Sequence, residues 1–204
     1  MKLIPVPYID QSAAGAYTGC ESVTAVMLLQ YLGYPVRLFD FIDTCLEKES
    51  FERRGDKLYG GDPREVFCGD PRDPEAMGCY APVLIRAMEK VAGDRFALRD
   101  ETGTGLEALC RRYIDREMPV PVWATIDMKP YLPGPDWYLK KDGSRFSWRS
   151  NEHCLLLVGY DEKHYIFNDP WQGNGLVAHP KTLAEARHRE QYSQAIGLAP
   201  KENV

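Results

Sequence analysis

Apolar residues in this chain fall into blocks with different periods. From Cys20 to Leu32, the residues Val23, Ala25, Val26, Met27, Leu28, Leu29, Tyr31 and Leu32 leave almost no polar face. A helix that is apolar all round is one buried on every side. Thr18, followed three residues later by Glu21, fits a capping box at its start. Gly33 and Pro35 supply the stop signals. Pro82 at a first helical turn opens a second helix, Pro82 to Ala92, closed by Gly93. Leu106, Leu109, Cys110, Tyr113 and Ile114 make an amphipathic stripe behind a second capping box, Thr104 to Glu107. A shorter helical piece is expected around Phe39 to Glu47, and a capping-box helix from Thr182.

The texture changes at Val120. Val122, Trp123, Thr125 and Ile126 are β-branched or aromatic and read as a strand. The continuous apolar run from His153 to Tyr160 is typical of a central strand. Asp161 to Lys163 turns the chain, and His164 to Asn168 returns. A last strand lies around Ala195 to Leu198, and Ile4 to Asp10 is a short extended segment at an edge. Two segments rich in proline and glycine, Arg53 to Tyr80 and Pro130 to Ser150, read as long loops, the first either a lip over a cleft or a tolerated insertion. Helices first and strands second is the pattern of an α+β fold. With no internal repeat and no linker, residues 1–204 are expected to form one domain.

Composition narrows the functional classes. The net charge is −5 and the basic residues never cluster, which argues against nucleic acid and anionic membrane as partners. No apolar run approaches the ~20 residues that span a bilayer. The N-terminal stretch is cut short by Asp10 and Gln11 and is not a signal peptide, so the expected location is the cytoplasm unless a leader has been removed. Six cysteines are present and no pair has C-x-x-C spacing, so neither structural zinc nor a thioredoxin-type motif is written here, and no cofactor is expected. Cys45, Cys110 and Cys154 read as buried small hydrophobes. Cys68 and Cys79 flank a loop, and the sequence leaves open whether they bridge in an oxidising compartment or stay free. His164, His179 and His188 have no ligand spacing and read as surface or turn residues; Glu152 either lines the site or, as is commoner for its type, is exposed. Trp137, Trp148 and Trp171 either line a groove or pack under the loops.

Three residues carry candidate chemistry. Cys20 opens a buried helix, where unpaired N–H groups and the positive helix end favour thiolate. His153, at the mouth of a strand, is a neutral-pH base by type. Asp169 follows the returning strand, and strands about 4.8 Å apart let the hairpin bring it to the imidazole. Nucleophile, base and orienter then follow in chain order. Gln11, in the loop before the helix, can donate to an oxyanion together with the backbone N–H of Cys20. Each residue alone has an ordinary structural reading, as a packed thiol, a strand-end histidine or a turn aspartate. Their joint occurrence on the right elements points to a site.

The arrangement resembles the papain-like cysteine peptidases, and more closely the free-standing relatives of the double-glycine leader peptidases that trim bacteriocin precursors. The resemblance is carried by Val6-Pro7-Tyr8-Ile9-Asp10-Gln11, Thr18-Gly19-Cys20-Glu21-Ser22, Tyr31-Leu32-Gly33-Tyr34, Gly78-Cys79-Tyr80-Ala81-Pro82, Glu152-His153-Cys154, Val158-Gly159-Tyr160 and Phe167-Asn168-Asp169-Pro170. It implies a papain-like α+β fold, with Cys20 as nucleophile, His153 as base, Asp169 as orienter and Gln11 in the oxyanion hole. It also implies a peptide or protein substrate. Two departures stand out: the chain shows no transporter or ATPase segment, and Glu21 rather than glycine follows the cysteine. A transferase on the same triad, or a silent peptide-binding module, are the alternatives.

Overall fold

The computed structural model describes residues 1–201. In chain order its elements are β1 (Lys2–Leu3), α1 (Cys20–Tyr31), α2 (Leu38–Thr44), β2 (Lys48–Glu49), β3 (Glu52–Arg54), β4 (Lys57–Gly60), β5 (Phe67–Cys68), α3 (Ala81–Ala92), β6 (Phe96–Asp100), α4 (Leu106–Arg112), β7 (Val120–Thr125), β8 (Leu132–Leu139), β9 (Arg145–Ser150), β10 (Glu152–Tyr160), β11 (His164–Asp169), β12 (Gly175–Pro180), α5 (Lys181–Glu190) and β13 (Ile196–Pro200). The α+β class expected from the sequence is the one observed. The strict order of helices before strands is not, because β2 to β6 interrupt the helices.

The main sheet is antiparallel and centred on β10. Residues Leu156 and Leu157 of β10 pair with both β7 and β11, so these two lie on opposite edges of it. Gly159 and Tyr160 pair with β11 and with β1, which puts β1 on the same edge as β7. Beyond β11 lies β12. All eight residues of β10 from Glu152 to Gly159 are buried, as a strand covered on both faces must be. Helix α1 packs on one of those faces, and Cys20 to Leu29 are buried in it without a break. That is the outcome expected of a helix with no polar side.

The two proline- and glycine-rich segments are not loops throughout. β3 and β4 form a hairpin, β8 and β9 another, and a parallel pairing of Tyr59 with Tyr138 joins them into a second, four-stranded sheet. An aromatic cluster of Tyr80, Trp137 and Trp148, flanked by Phe51 and Phe146, supplies its own small core. Tyr80 and Trp148 stack with centroids 5.4 Å apart and planes 12° from parallel.

Several local expectations are corrected. None of the three capping boxes forms. Gly19, Gly105 and Pro180 occupy the N-caps, and none of these helices has a side-chain cap. Thr18 Oγ1 instead donates to the carbonyl of Asp73 at 2.9 Å. All six cysteines are free, so Cys68 and Cys79 are not bridged. His188 is buried rather than at the surface; its Nδ1 lies 2.8 Å from the carbonyl oxygen of Trp123 and its Nε2 3.0 Å from that of Thr104.

One glycine is required by the close approach of β1. A Cβ on Gly159 would stand 2.3 Å from the Lys2 carbonyl oxygen and 3.0 Å from Leu3 Cα. We expect Gly159→Ala to destabilise the fold by ~1–3 kcal/mol, the usual cost of overpacking. Urea unfolding reads this as a lower midpoint at unchanged slope. A wild-type midpoint would show that β1 moves aside freely.

Candidate active site

The residues predicted to carry chemistry come from four separate pieces of chain. Cys20 is the first residue of α1, His153 the second of β10 and Asp169 the last of β11. Gln11 lies in the segment between β1 and α1. That segment is laced to the main sheet. The Ile4 N–H donates to the Val158 carbonyl at 2.8 Å, Asn168 Nδ2 donates to that of Val6 at 3.2 Å, and the Gln11 N–H donates to that of Pro170 at 3.0 Å. The last of these sets Gln11 beside the chain that leaves Asp169.

His153 and Asp169 are 1% and 2% exposed, and Nε2 of the one lies 2.6 Å from Oδ1 of the other. Asp169 also accepts the Trp171 N–H at 2.9 Å on Oδ1 and Asn174 Nδ2 at 3.1 Å on Oδ2. Burial alone would raise its carboxyl. The bond and charge of His153, the Trp171 N–H and the Asn174 amide together hold it below the usual carboxylate range. Asp169 is therefore an acceptor only, and the proton between the two sits on His153 Nε2. In the neutral ring, Nδ1 is then the free basic nitrogen. The ring of Trp171 stands edge-on to His153, with centroids 6.2 Å apart.

Cys20 is 5% exposed. Its sulfur accepts the Cys154 N–H at 3.4 Å, and its thiol donates to Glu21 Oε2 at 3.3 Å. Burial pushes this thiol well above the ordinary thiol value, and the carboxyl groups of Glu21 and Glu152 push the same way. The helix-end argument leads to the opposite expectation, a thiol already favoured as thiolate. As the first helical residue, Cys20 keeps a backbone N–H with no acceptor within the helix.

Gln11, Cys20 and His153 line one cleft of about 260 Å³, and Asp169 stands behind His153. Gln11 is 1% exposed; its Nε2 donates to the Tyr17 carbonyl at 3.0 Å and its Oε1 has no partner. The cleft is also lined by Pro74, Ala76 and Met77 from the segment before α3, by Trp148 and Ser150 of β9 and by Asn151 of the turn into β10. Of the three tryptophans weighed from sequence, Trp148 and Trp171 line the cleft and Trp137 packs within the aromatic cluster of the second sheet.

Of three further participants, sequence reasoning weighed one but favoured the wrong reading, and missed two. Glu152, expected to be exposed, is 8% exposed and lines the cleft. Glu21 is fully buried and accepts the Cys79 N–H at 2.6 Å on Oε1. Burial pushes its carboxyl up to about 7. Burial, and then Glu21, pushes that of Glu152 well above the ordinary range. Asn174, the third, carried no signal in the sequence; Glu21 did, as the residue following Cys20. Donor atoms of Cys20, Glu21 and Glu152 lie within 4.8 Å of one another. Three donors, with Glu21 already bonded to the thiol and to Cys79, fall short of the four that close a structural zinc site. We assign no metal there.

Known proteins agree with this architecture. The model of the Peptidase_C39 like family matches residues 3–196. The chain belongs to that family. It is 27% identical over 189 residues to the uncharacterised protein YvpB of Bacillus subtilis (strain 168), covering 93% of this chain and 72% of YvpB. Among solved structures, a Bacillus anthracis protein assigned to the C39-like peptidases superposes over the whole of both chains with a TM-score of 0.81 at 24% identity. The peptidase domain of Streptococcus ComA, a bifunctional ABC transporter involved in quorum sensing, matches with a TM-score of 0.52 at 15% identity, covering 98% of each chain. At these identities the two structures show the shared fold.

The Glu21 carboxyl gives a test by pH. Its value is about 7 in the folded chain against 4.5 ordinarily, so the native state binds the proton more tightly than the unfolded state. Stability from this source is complete below about 4.5 and is lost as pH rises through about 7. The Tm of the wild type minus that of Glu21→Gln should therefore fall across that window. A constant difference would show an unperturbed Glu21.

Proposed function

We propose that this protein is a cysteine peptidase-like hydrolase that cleaves a peptide or amide bond through a thioester on Cys20. The observation that carries the reading is the buried 2.6 Å bond from His153 Nε2 to Asp169, which leaves Nδ1 as the free nitrogen of a ring lining the cleft shared with Cys20 and Gln11. In the first half-reaction His153 Nδ1 takes the thiol proton and the sulfur attacks the carbonyl carbon. The C–N bond then breaks, and the same proton goes to the leaving amine. In the second, water adds to the thioester with its proton passing to His153. The C–S bond breaks, and the proton returns to the sulfur. Asp169 keeps the proton on Nε2 and steadies the imidazolium that forms at each stage.

Two donors are suited to the oxyanion that forms in each half. One is the free backbone N–H of Cys20. The other is Gln11 Nε2, which gives one N–H to the Tyr17 carbonyl and retains a second. Burial disfavours a resting thiolate, so proton transfer to His153 accompanies substrate binding rather than preceding it. This differs from a site poised as a standing ion pair, and it gives Asp169 more to do.

A peptidyl electrophile should label the wild type once, as read by intact-protein mass spectrometry, and leave Cys20→Ala unlabelled. With a fluorogenic peptide library, Cys20→Ala should be inactive and His153→Ala nearly so. Gln11→Ala should lose about 10²–10³ in kcat, the usual loss for one oxyanion donor. Asp169→Asn should retain measurable turnover, with a loss approaching the ~10⁴-fold drop seen in serine triads, because the resting thiol is neutral as a serine hydroxyl is. Asp169→Ala should be worse, since it removes the hydrogen bond as well as the charge. Full activity in Asp169→Ala would reduce the site to a dyad, and labelling of a cysteine other than Cys20 would remove the assignment.

A further inference from the structure

Two carboxyl groups that the proposed chemistry does not use converge on the sulfur of Cys20. Glu21 is fully buried, with Oε2 on the thiol at 3.3 Å and Oε1 on the Cys79 N–H at 2.6 Å. Glu152 is 8% exposed and its Oε1 has no hydrogen-bond partner. One oxygen of each carboxyl and the Cys20 sulfur all lie within 4.8 Å of one another. Both carboxyls also close on Gly78, where a Cβ would stand 2.6 Å from Glu21 Oε1 and 3.1 Å from Glu152 Oε2.

The groups facing this pair do not offset two charges. Cys20 comes from α1, His153 and Cys154 from β10, Cys79 from the segment before α3, Cys68 from β5 and the Trp123 indole from β7. Four of these are thiols, and His153 is already committed to Asp169. Among the described residues no lysine or arginine bonds to either carboxyl. Two carboxylates this close, out of water and without a cation, cannot both ionise. An ionised Glu152 would also leave a charged, buried oxygen unbonded, whereas a protonated one leaves only a neutral oxygen so.

We propose that Glu21 and Glu152 hold one proton between them at neutral pH, so that the Cys20 sulfur meets a single negative charge. The pair acts on the sulfur as positioning residues: Glu21 fixes the thiol, and Glu152 keeps Glu21 from adding a second charge beside it. When the shared proton leaves for solvent at alkaline pH, the pair carries two charges and opposes thiolate formation. The role in turnover rests on the hydrolase reading above; the shared proton does not.

The measurement is a ¹³C NMR titration of the full chain labelled at the glutamate δ-carbon. Signals are assigned by their loss in Glu21→Gln and Glu152→Gln. In the wild type the pair should titrate in two separated steps, the lower no higher than about 7 and the upper in the alkaline range. In Glu152→Gln the Glu21 step should become single and move down. If that variant does not fold, Glu21→Gln reads the reciprocal shift on Glu152. Iodoacetamide should then alkylate Cys20 about tenfold faster in Glu152→Gln than in wild type at alkaline pH, one unit of thiol ionisation for the charge removed. Two carboxylates both ionised at pH 7, or a Glu21 midpoint unmoved in Glu152→Gln, would overturn the pair. A two-step titration in a protein that neither turns over peptides nor takes the peptidyl label would reject the hydrolase reading and leave the pair standing.

Discussion

Burial of the first turn of α1 against β10 is the constraint on which the site depends. A helix start carries N–H groups with no partner inside the helix, and water cannot reach this one freely. Side chains of that turn and the next bind the surrounding elements instead. Cys20 takes the N–H of Cys154, Thr24 Oγ1 donates to the Cys154 carbonyl at 3.1 Å, and Glu21 takes the N–H of Cys79. The helix is tied to β10 at one residue from both its backbone groups, and to the segment before α3 by the next side chain. Cys20 is thereby fixed beside the strand that carries His153.

The same burial decides the state of the thiol. A helix end contributes about 0.3–1 kcal/mol toward a nearby negative charge, and up to ~2 kcal/mol where partly buried. Removing a charge from water costs several kcal/mol even after the protein relaxes. With two carboxyls adding repulsion, the helix end loses. Asp169 is the contrasting case. It too is buried, but three donors converge on it and keep it ionised. Depth does not distinguish the two groups; the number of N–H donors and the sign of the neighbours do.

What could be read from the sequence was whatever is settled locally or by one hairpin. The unbroken apolar run after Cys20 required a buried helix, and the run from His153 to Tyr160 required a central strand. The short return from Asp161 brought Asp169 back to His153 with little freedom to do otherwise. The second sheet was not legible, since Tyr59 and Tyr138 pair across a long interval and their strands contain Gly60, Pro133 and Gly134. Aromatic packing, rather than β propensity, holds those strands. The burial of Glu152 and His188 was hidden for a related reason. A polar residue is buried when a distant partner satisfies or tolerates it, and for His188 those partners are the carbonyls of Trp123 and Thr104. Thr18 satisfied the local capping pattern, but the Asp73 carbonyl took its hydroxyl.

The turn between β9 and β10 is a single residue, Asn151, held at φ 50°. On one side of it Trp148 belongs to the aromatic cluster of the second sheet and lines the cleft; on the other, His153 belongs to the main sheet. The molecule thus divides its labour between two sheets that share one continuous strand path. Substitutions in β3, β4 or β8 can reshape one wall of the cleft through the aromatic cluster while the main sheet keeps His153 and Asp169 in register. Descent within such a family has a route by which the shape of what enters the cleft drifts quickly and the apparatus beside it hardly at all.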